Sequence, residues 1–352
     1  FYTVIKALDR HLRFVFITGI SKFSRVGLFS TMNNLEDLSL LPQAATMLGI
    51  TEEELRHDFP VYLTTFAQQR GTSTDEVLAE IKRWYNGFCF VEESPNVYNP
   101  YSTLHLFNKR RFANYWFETA TPTFLIKLLK AQQYDIEQLQ ELRLRELAFS
   151  TYEIETLSIV PLLFQTGYLT IKDYEPASRR FTLSYPNLEV EDAFLSYLLG
   201  EFSERDRALN EDYLWQLIDA LKAHDLKEFF SVLEIFFANV PYNIQLKHEK
   251  YYQTIFYLIF KLIGLRIDAE VYTNKGRIDA VIELPDQLFL FEFKVDKSAE
   301  EALQQIKEQA YIQRYRRQGK PMTLVGANFD SAQRQISEWK EEIDHTPTQQ
   351  TG

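Results

Sequence analysis

A glutamate and a lysine interrupt an otherwise apolar segment in the last quarter of the chain. In QLFLFEFKV, residues 287–295, Glu292 and Lys294 stand two residues apart, so in a β-strand they share one face. Burying a lone carboxylate or ammonium costs several kcal/mol, and proteins tolerate such a charge when it is paired or binds a metal. The pattern predicts that these two charges have either a partner or a chemical role.

A further acid lies in the segment before this strand. In GRIDAVIEL, residues 276–284, Asp279 stands early in a second predicted strand, and a turn around Pro285 and Asp286 lets the two strands pair in antiparallel orientation. Asp279 would then lie opposite the region of Glu292. Two converging carboxylates repel unless a divalent cation lies between them, and oxygen ligands favour Mg²⁺ or Mn²⁺.

These three residues together predict metal-assisted hydrolysis of a phosphodiester bond. Asp279 and Glu292 would hold the metal, while Lys294 would orient the attacking water and stabilise negative charge on the phosphate. Glu249, near the start of the preceding helix, could add a supporting or second-metal ligand, and Gln305 in the following helix could hold a phosphate or a ligand water. The alternative is that Glu292 and Lys294 form only an ion pair, which on a solvated edge strand contributes about 0.2–1 kcal/mol.

The elements around these residues form a recognisable order. A predicted helix at about 248–262 precedes strands near 266–272, 277–284 and 288–295, a helix near 299–317 and a strand near 322–327. This αβββαβ order predicts one compact domain with a mixed sheet and helices packed against it.

The upstream chain predicts two further kinds of structure. RFVFITGISKFS, residues 13–24, predicts a central parallel strand at Phe14–Ile17 that is buried on both faces. At the end of this strand, Thr18 and Ser21 could face a nucleotide phosphate, and the alternative is that Ser21 only caps the next turn. Residues 50–130 predict helices, with capping boxes at Thr51 and at residues 73–76. An apolar helix at 157–164, a glycine turn and an alternating hairpin predict a winged-helix-like module.

Composition restricts the class of protein. The chain has 352 residues, enough for two or three domains, with 45% hydrophobic and 25% charged residues. No apolar stretch approaches the length of a membrane-spanning helix, so we expect no membrane span. The single cysteine, Cys89, excludes an intrachain disulfide and a cysteine-based zinc site, which favours a cytoplasmic protein.

The charge distribution bears on nucleic-acid binding. A net charge of −11 argues against a general nucleic-acid coat protein, but it leaves room for a local basic groove. Two basic runs are candidates for such a groove, and either one alone is commonly a solvated helix face: Arg314, Arg316, Arg317 and Lys320; and Lys109, Arg110 and Arg111.

Two families are similar to parts of this sequence. GRID at 276–279 and FEFK at 291–294, with the helix AEEALQQIKEQAYIQRY after them, resemble the motifs of the PD-(D/E)XK nuclease superfamily, with Ile278 in place of the leading proline. Four upstream segments resemble an AAA-ATPase-like domain that precedes such a nuclease-like domain: FVFITGISKFS, WYNGFCF, VYNPYSTL and NYWFETATPTFLIKLL. The second resemblance implies that Thr18 occupies a nucleotide-sensing position, and it is compatible with oligomerisation through the ATPase-like part.

The sequence departs from the ATPase-like pattern in one respect. It contains no G-x-x-x-x-G-K-[ST] loop, so we expect no ATPase activity from this chain, and ATP would be a ligand only if such a loop lies upstream of Phe1. Because the first residues look like the middle of a helix, we expect upstream sequence.

We therefore expect an α/β and α+β multidomain protein in four parts. These are the C-terminal part of a P-loop-type, AAA-ATPase-like domain (1–130), a helical and winged-helix-like linker domain (131–235), an αβββαβ restriction-endonuclease-like domain (236–335) and a C-terminal tail (336–352). The predicted function is a Mg²⁺-dependent deoxyribonuclease, controlled in the full-length protein by the ATPase-like domain. The alternatives are a nucleotide-dependent switch or interaction protein with a non-catalytic nuclease-like module, or DNA binding through the winged-helix-like segment.

Overall fold

The computed structural model describes residues 2–19, 36–118, 123–146, 148, 158–238, 249–267, 270–273, 278–308, 315, 320–333 and 335–344. The chain divides into two compact units, Phe1–Phe194 and Leu195–Gly352. The boundary falls inside a helix of the segment that the sequence assigned to the linker domain, and the predicted domain limits stay predictions. None of the helices in the described ranges is long and apolar enough to cross a lipid bilayer.

The first unit is mainly helical. Its helices in chain order are α1 (Tyr2–Ala7), α2 (Glu52–Asp58), α3 (Pro60–Arg70), α4 (Thr74–Tyr85), α5 (Pro100–Lys109), α6 (Thr123–Ala131) and α7 (Ile159–Gln165), and α8 (Leu188–Ser203) contains the boundary between the units. Both predicted capping boxes are confirmed, because the side chains of Thr51 and Ser73 each accept a hydrogen bond from the backbone N–H of the glutamate three residues on. These caps define where α2 and α4 begin.

Asn86 and Gly87 follow α4 directly. Gly87 has φ of +105°, and a Cβ at this position would lie 2.1 Å from the carbonyl oxygen of Pro186. A glycine is therefore required both by the backbone conformation and by the close approach of another segment.

A buried carboxylate ties three segments of this unit together. Glu189, in the first turn of α8, is fully buried. The Ser102 hydroxyl lies 2.8 and 2.9 Å from its two oxygens and shares one proton between them, and the backbone N–H of Trp116 donates to the same carboxylate. Because a buried carboxylate requires donors, these contacts fix α5 and the Trp116 segment against the start of α8.

A small antiparallel sheet completes the first unit. Its strands are β1 (Leu142–Leu144), β2 (Thr170–Glu175) and β3 (Arg180–Ser184), in the order β1-β3-β2. The predicted succession of helix, glycine turn and hairpin is present as α7, Gly167 and β2–β3, and α8 follows it. The winged-helix assignment itself stays a prediction.

The predicted central strand at Phe14–Ile17 is wrong. These residues lie outside any helix or strand, with Phe14 80% and Phe16 54% exposed, and Thr18 is exposed as well. A parallel strand is buried only when other strands flank it and helices cover its faces, and within the described part of this unit no strand pairs with the segment. The P-loop-type assignment and the nucleotide-sensing role of Thr18 stay predictions, and Ser21 lies outside the described residues.

The second unit contains the mixed sheet that the sequence predicts. Its helices are α9 (Arg207–Lys222), α10 (Leu226–Ala238), α11 (Glu249–Ile267) and α12 (Ala299–Glu308). Its strands are β4 (Glu270–Thr273), β5 (Ile278–Glu283), β6 (Leu288–Val295), β7 (Met322–Asp330) and β8 (Gln335–Asp344). The strands follow the order β4-β5-β6-β7-β8, and among these described strands β6 and β7 pair in parallel while the other neighbours pair antiparallel.

Strand β8 adds to the predicted order. The sequence predicted a tail from residue 336, but Gln335–Asp344 pairs antiparallel with β7 along its length. Most side chains of β8 are exposed, and only Ile336 is buried. An edge strand that is solvated in this way lacks the regular apolar alternation by which strands are recognised, so this strand could not be predicted from the sequence pattern.

Candidate active site

The two faces of β6 pack against different partners. Its phenylalanines contact aromatic rings of α10 and α11, as in the pairs Phe229–Phe291 at 5.3 Å and Phe256–Phe293 at 4.5 Å between ring centroids. The opposite face begins with two buried leucines, Leu288 and Leu290, and continues through Glu292 to Lys294. Both charges therefore lie on the face that α12 covers.

Helix α12 comes very close to the sheet at Gly326. This glycine lies in β7 in register with Glu292. A Cβ at Gly326 would lie 2.4 Å from the carbonyl oxygen of Ala299 and 2.8 Å from the backbone nitrogen of Leu303, both in α12. Only glycine permits this approach, and the approach brings the side chains of α12 within reach of β6.

Glu292 and Lys294 form a direct ion pair. The Lys294 ammonium lies 2.6 Å from Oε1 of Glu292. The Glu292 side chain is fully buried, whereas the Lys294 side chain retains 15% of its exposure. The pair is thus asymmetric, with a desolvated carboxylate inside and an ammonium group at the border of the solvent.

Gln305 joins this pair from α12. Its Oε1 accepts a short hydrogen bond from Nζ of Lys294. Its Nε2 is buried and has no hydrogen-bond partner among the described residues. A buried amide that leaves one donor unused is uncommon, because the desolvation cost of that donor is about 1–3 kcal/mol. The structure thus brings Glu292, Lys294 and Gln305 together, as the sequence predicts.

The register of β5 places Asp279 opposite Glu292. In the antiparallel pairing of β5 with β6, Asp279 and Glu292 are direct partners. The predicted position of this acid in the sheet is therefore confirmed, and residues paired in this way have Cβ atoms about 4.5–5.5 Å apart. The side chain of Asp279 lies outside the described residues.

The other predicted site residues are less closely defined. Helix α11 begins at Glu249, whose side chain lies outside the described residues. The helix packs on the sheet as predicted, but on the phenylalanine face, where Phe256 lies 4.5 Å from Phe293 and Tyr252 lies 4.5 Å from Phe329. The supporting role of Glu249 stays a prediction. Arg314, Arg316 and Arg317, from the basic run that ends at Lys320, also lie outside the described residues.

Two polar residues that sequence reasoning missed fix the end of β6. Asn328 of β7, in register with Lys294, accepts a hydrogen bond from the backbone N–H of Lys297 at 2.8 Å. Asp296, with φ of +55°, accepts hydrogen bonds from the hydroxyl and the backbone N–H of Ser331. These bonds hold the pKa of Asp296 below its usual range. An asparagine inside the apolar sequence MTLVGANFD was the available signal.

The donor set fits a hard divalent cation. No group of three or more histidine, cysteine or acidic side chains that could hold a metal occurs in the described ranges, from which the Asp279 side chain is absent. The fully buried Glu292 carboxylate, with a second acid at its register position, offers oxygen ligands of the type that Mg²⁺ and Mn²⁺ prefer. The residues present are therefore compatible with such an ion.

A comparison with protein families agrees with this geometry. Residues 247–339, which run from the start of α11 into β8, match the PD-(D/E)XK nuclease superfamily. This segment is a PD-(D/E)XK nuclease superfamily domain. The PD-(D/E)XK domain thus includes Glu249, Asp279, Glu292, Lys294 and Gln305.

One curated relative extends over nearly the whole chain. It is described as an uncharacterized protein in the vnfD 5' region of Azotobacter chroococcum mcd 1, and it is 37% identical over 344 residues, which cover 95% of this chain and 64% of that protein. The chain therefore spans less than two thirds of the length of this relative. No solved structure matches the chain. The AAA-ATPase-like resemblance of residues 1–130 stays a prediction.

Proposed function

We propose that this chain is a metal-dependent nuclease that hydrolyses phosphodiester bonds of nucleic acid, with DNA as its substrate. The observation that carries the proposal is the fully buried Glu292 carboxylate, bonded to Lys294 and in register with Asp279 inside a PD-(D/E)XK domain. An ion pair that only stabilises the fold can remain solvated at the surface. Electrostatic stabilisation of a charged phosphate is strongest in a preorganised site from which water is excluded, which the burial of Glu292 provides.

Asp279 and Glu292 are the residues that would hold Mg²⁺ or Mn²⁺. When bound, the ion would act as a Lewis acid that offsets the negative charge developing on the phosphate. Burial of Glu292 keeps its carboxylate in one orientation, and the close packing of α12 at Gly326 keeps bulk water from its inner side. The supporting role proposed for Glu249 rests on its position at the start of α11.

Lys294 would act on the water and on the phosphate. Its ammonium group is held at the border of the solvent by Glu292 and Gln305, so its remaining donor capacity can point toward a substrate. In the hydrolysis, the water oxygen forms a bond to phosphorus and the bond from phosphorus to the leaving sugar oxygen breaks. One water proton goes to that leaving oxygen and the other to the new phosphate group or to solvent. The buried Nε2 of Gln305 is suited to donate to a phosphate oxygen or a ligand water.

Metal binding is the first test. Mn²⁺ is titrated calorimetrically into the full chain, into Asp279→Asn and into Asp286→Asn, whose carboxylate is 71% exposed in the β5–β6 turn and serves as the matched control. We expect binding to the wild type and to Asp286→Asn, and a loss of at least about tenfold in Asp279→Asn. Equal binding by all three folded proteins would contradict the assignment of Asp279.

Cleavage is the second test. Single- and double-stranded DNA, with RNA in parallel, are incubated with the full chain, with Lys294→Ala and with Lys307→Ala. Lys307 forms an ion pair of similar length, 2.6 Å, with Glu342 in the same unit, so its variant controls for the loss of one lysine. Lys294→Ala, checked for folding by circular dichroism, should abolish cleavage and Lys307→Ala should retain it. Cleavage by a purified Lys294→Ala protein at the wild-type rate would refute the proposed role.

A non-catalytic nuclease-like module is the second candidate function. The direct Lys294–Glu292 contact favours it to the extent that a paired carboxylate needs no metal. The wild-type protein is first shown to be folded by its circular dichroism spectrum. If this folded protein binds no Mn²⁺ and cleaves neither DNA nor RNA, the switch or interaction function replaces the nuclease. We also propose that an ATPase-like domain controls the site. Because these 352 residues contain no phosphate loop, the chain should release phosphate from ATP only at the background rate.

A further inference from the structure

A group of cations in the first unit has no part in the site described above. No aspartate or glutamate occurs between Glu93 and Glu118, although the whole chain carries a net charge of −11. The same interval contains the run Lys109, Arg110 and Arg111 at the end of α5. It therefore forms a locally basic segment in an acidic protein.

Aromatic side chains are interleaved with these cations. Tyr101, His105 and Lys109 are spaced four residues apart, so they lie along one stripe of α5. The ring of His105 lies 4.3 Å from Tyr101 and 5.4 Å from Tyr115, and the Lys109 ammonium lies 4.7 Å above the Tyr115 ring. The stripe is a continuous row of rings that ends in a cation.

A further ring lies beside the same helix. Tyr62 of α3 is 54% exposed, and its ring lies 5.4 Å from that of Phe107 in the last turn of α5. On the same helix as the stripe, Leu104 is 50% exposed. We call the surface formed by Tyr101, His105, Lys109, Arg110 and Arg111 the aromatic-basic face.

Arg110 occupies a conformation that its side chain disfavours. It caps α5 with φ of +52°, a left-handed position where glycine or asparagine is usual. The guanidinium groups of Arg110 and Arg111 make no hydrogen bond or ion pair to any described residue. An arginine thus stands at a position of backbone strain with no guanidinium partner among the described residues, so its donors are open to a ligand.

We propose that the aromatic-basic face binds single-stranded nucleic acid. The cations would contact successive phosphates, and the exposed rings would stack against bases, which is how proteins bind single strands without reading their sequence. The proposal rests on the proposed nuclease function, because it assigns to the first unit a surface that holds the substrate class of the PD-(D/E)XK domain.

Binding is tested separately from cleavage. A fluorescent 20-nucleotide single strand of mixed sequence is titrated with the full chain, with EDTA present to prevent metal-dependent cleavage, and anisotropy is recorded at several salt concentrations. Under these conditions no cleavage is needed, so a failure of the nuclease proposal leaves this measurement interpretable. Binding with a linear dependence of log Kd on log salt is expected.

The decisive variant is Arg110→Gly with Arg111→Gln. Glycine adopts φ of +52° without strain, so this variant should fold at least as well as the parent. Arg179→Gly with Arg180→Gln is the matched control, because Arg179 also has a positive φ, of +53°, and both side chains are exposed. The first variant should bind roughly tenfold more weakly with a salt slope lower by about 1.4, while the control should bind like the parent. The reverse result would assign binding to the β2–β3 hairpin and overturn the proposal.

A third variant and a competitor separate nucleic acid from other anions. Tyr101→Leu keeps an apolar side chain but removes the stacking surface, so binding should weaken by roughly tenfold. Polyglutamate of equal charge should compete poorly. If Tyr101→Leu binds like the parent and polyglutamate competes as well as the oligonucleotide, the face is a general site for acidic chains and the nucleic-acid assignment is wrong.

Discussion

Replacing the buried ion pair in two ways separates its structural from its chemical role. Lys294→Met removes one partner and leaves the fully buried Glu292 carboxylate without its ammonium at 2.6 Å. Removing one member of a buried pair destabilises a protein by about 3–5 kcal/mol, because the remaining charge stays desolvated. Glu292→Leu with Lys294→Met removes both charges, and side chains of this size fit the neighbouring leucines of β6. The free energy of unfolding of this double variant should lie within about 1 kcal/mol of the wild-type value, or above it.

Hydrogen exchange over β6 measures the difference where it arises. Amides of residues 288–295 should exchange mainly through opening of the second unit, so a loss of about 3–5 kcal/mol should lower their protection by about 10²- to nearly 10⁴-fold. The double variant should recover this protection. Both variants should lack nuclease activity, because both lack the Lys294 ammonium group and the double variant also lacks the Glu292 carboxylate. A double variant that is as unprotected as Lys294→Met would refute the desolvation reasoning, and a double variant that still cleaves DNA would refute the site.

Three further predictions concern the scaffold. Gly326→Ala should lower the free energy of unfolding by about 1–3 kcal/mol and reduce cleavage, because α12 must move away from the sheet. In the matched control Gly200→Ala, the new methyl group lies inside α8 and faces a flexible arginine side chain, so the free energy of unfolding should change by less than about 1 kcal/mol. Urea denaturation measures both values. Ser102→Ala should lower it by about 1–3 kcal/mol, because the buried Glu189 carboxylate loses a donor, and a Tm unchanged from the wild type would contradict this. The folded-state pKa of Asp296 is held below its ordinary value of 3.8. The ionised Asp296 carboxylate therefore stabilises the fold fully above pH 3.8, and this stabilisation is lost as the pH falls through the folded-state pKa. Below about pH 4, the Tm of Asp296→Asn should fall less steeply with pH than the Tm of the wild type.

The features that the sequence predicted correctly depend on local rules. A hairpin joined by a short turn has few possible registers, and the apolar pattern selects one of them, so the amino-acid pattern by itself is enough to put Asp279 opposite Glu292. The capping boxes at Thr51 and Ser73 involve residues only three positions apart. In each case the physical determinants lie within one short segment of the chain.

The features that it missed depend on distant partners. Phe14–Ile17 has the composition of a buried strand, but a strand needs a neighbour, and composition does not show whether one is present. The importance of Gly326 arises from α12, which approaches it closely from a different segment. Strand β8 pairs along one edge only, so its side chains follow the requirements of solvent and not those of a core.

The exposure gradient along β6 accounts for the presence of two charges in an apolar strand. Residues 288–293 are buried, and exposure begins only at Lys294. If the pair served stability alone, hydrophobic residues of similar volume would serve as well or better at both positions. The placement of a carboxylate near the end of the buried run and of an ammonium at the first exposed position is better explained by a ligand that arrives from the solvent side. The carboxylate would meet a cation and the ammonium an anion, and a metal ion together with a phosphate group supplies both charges.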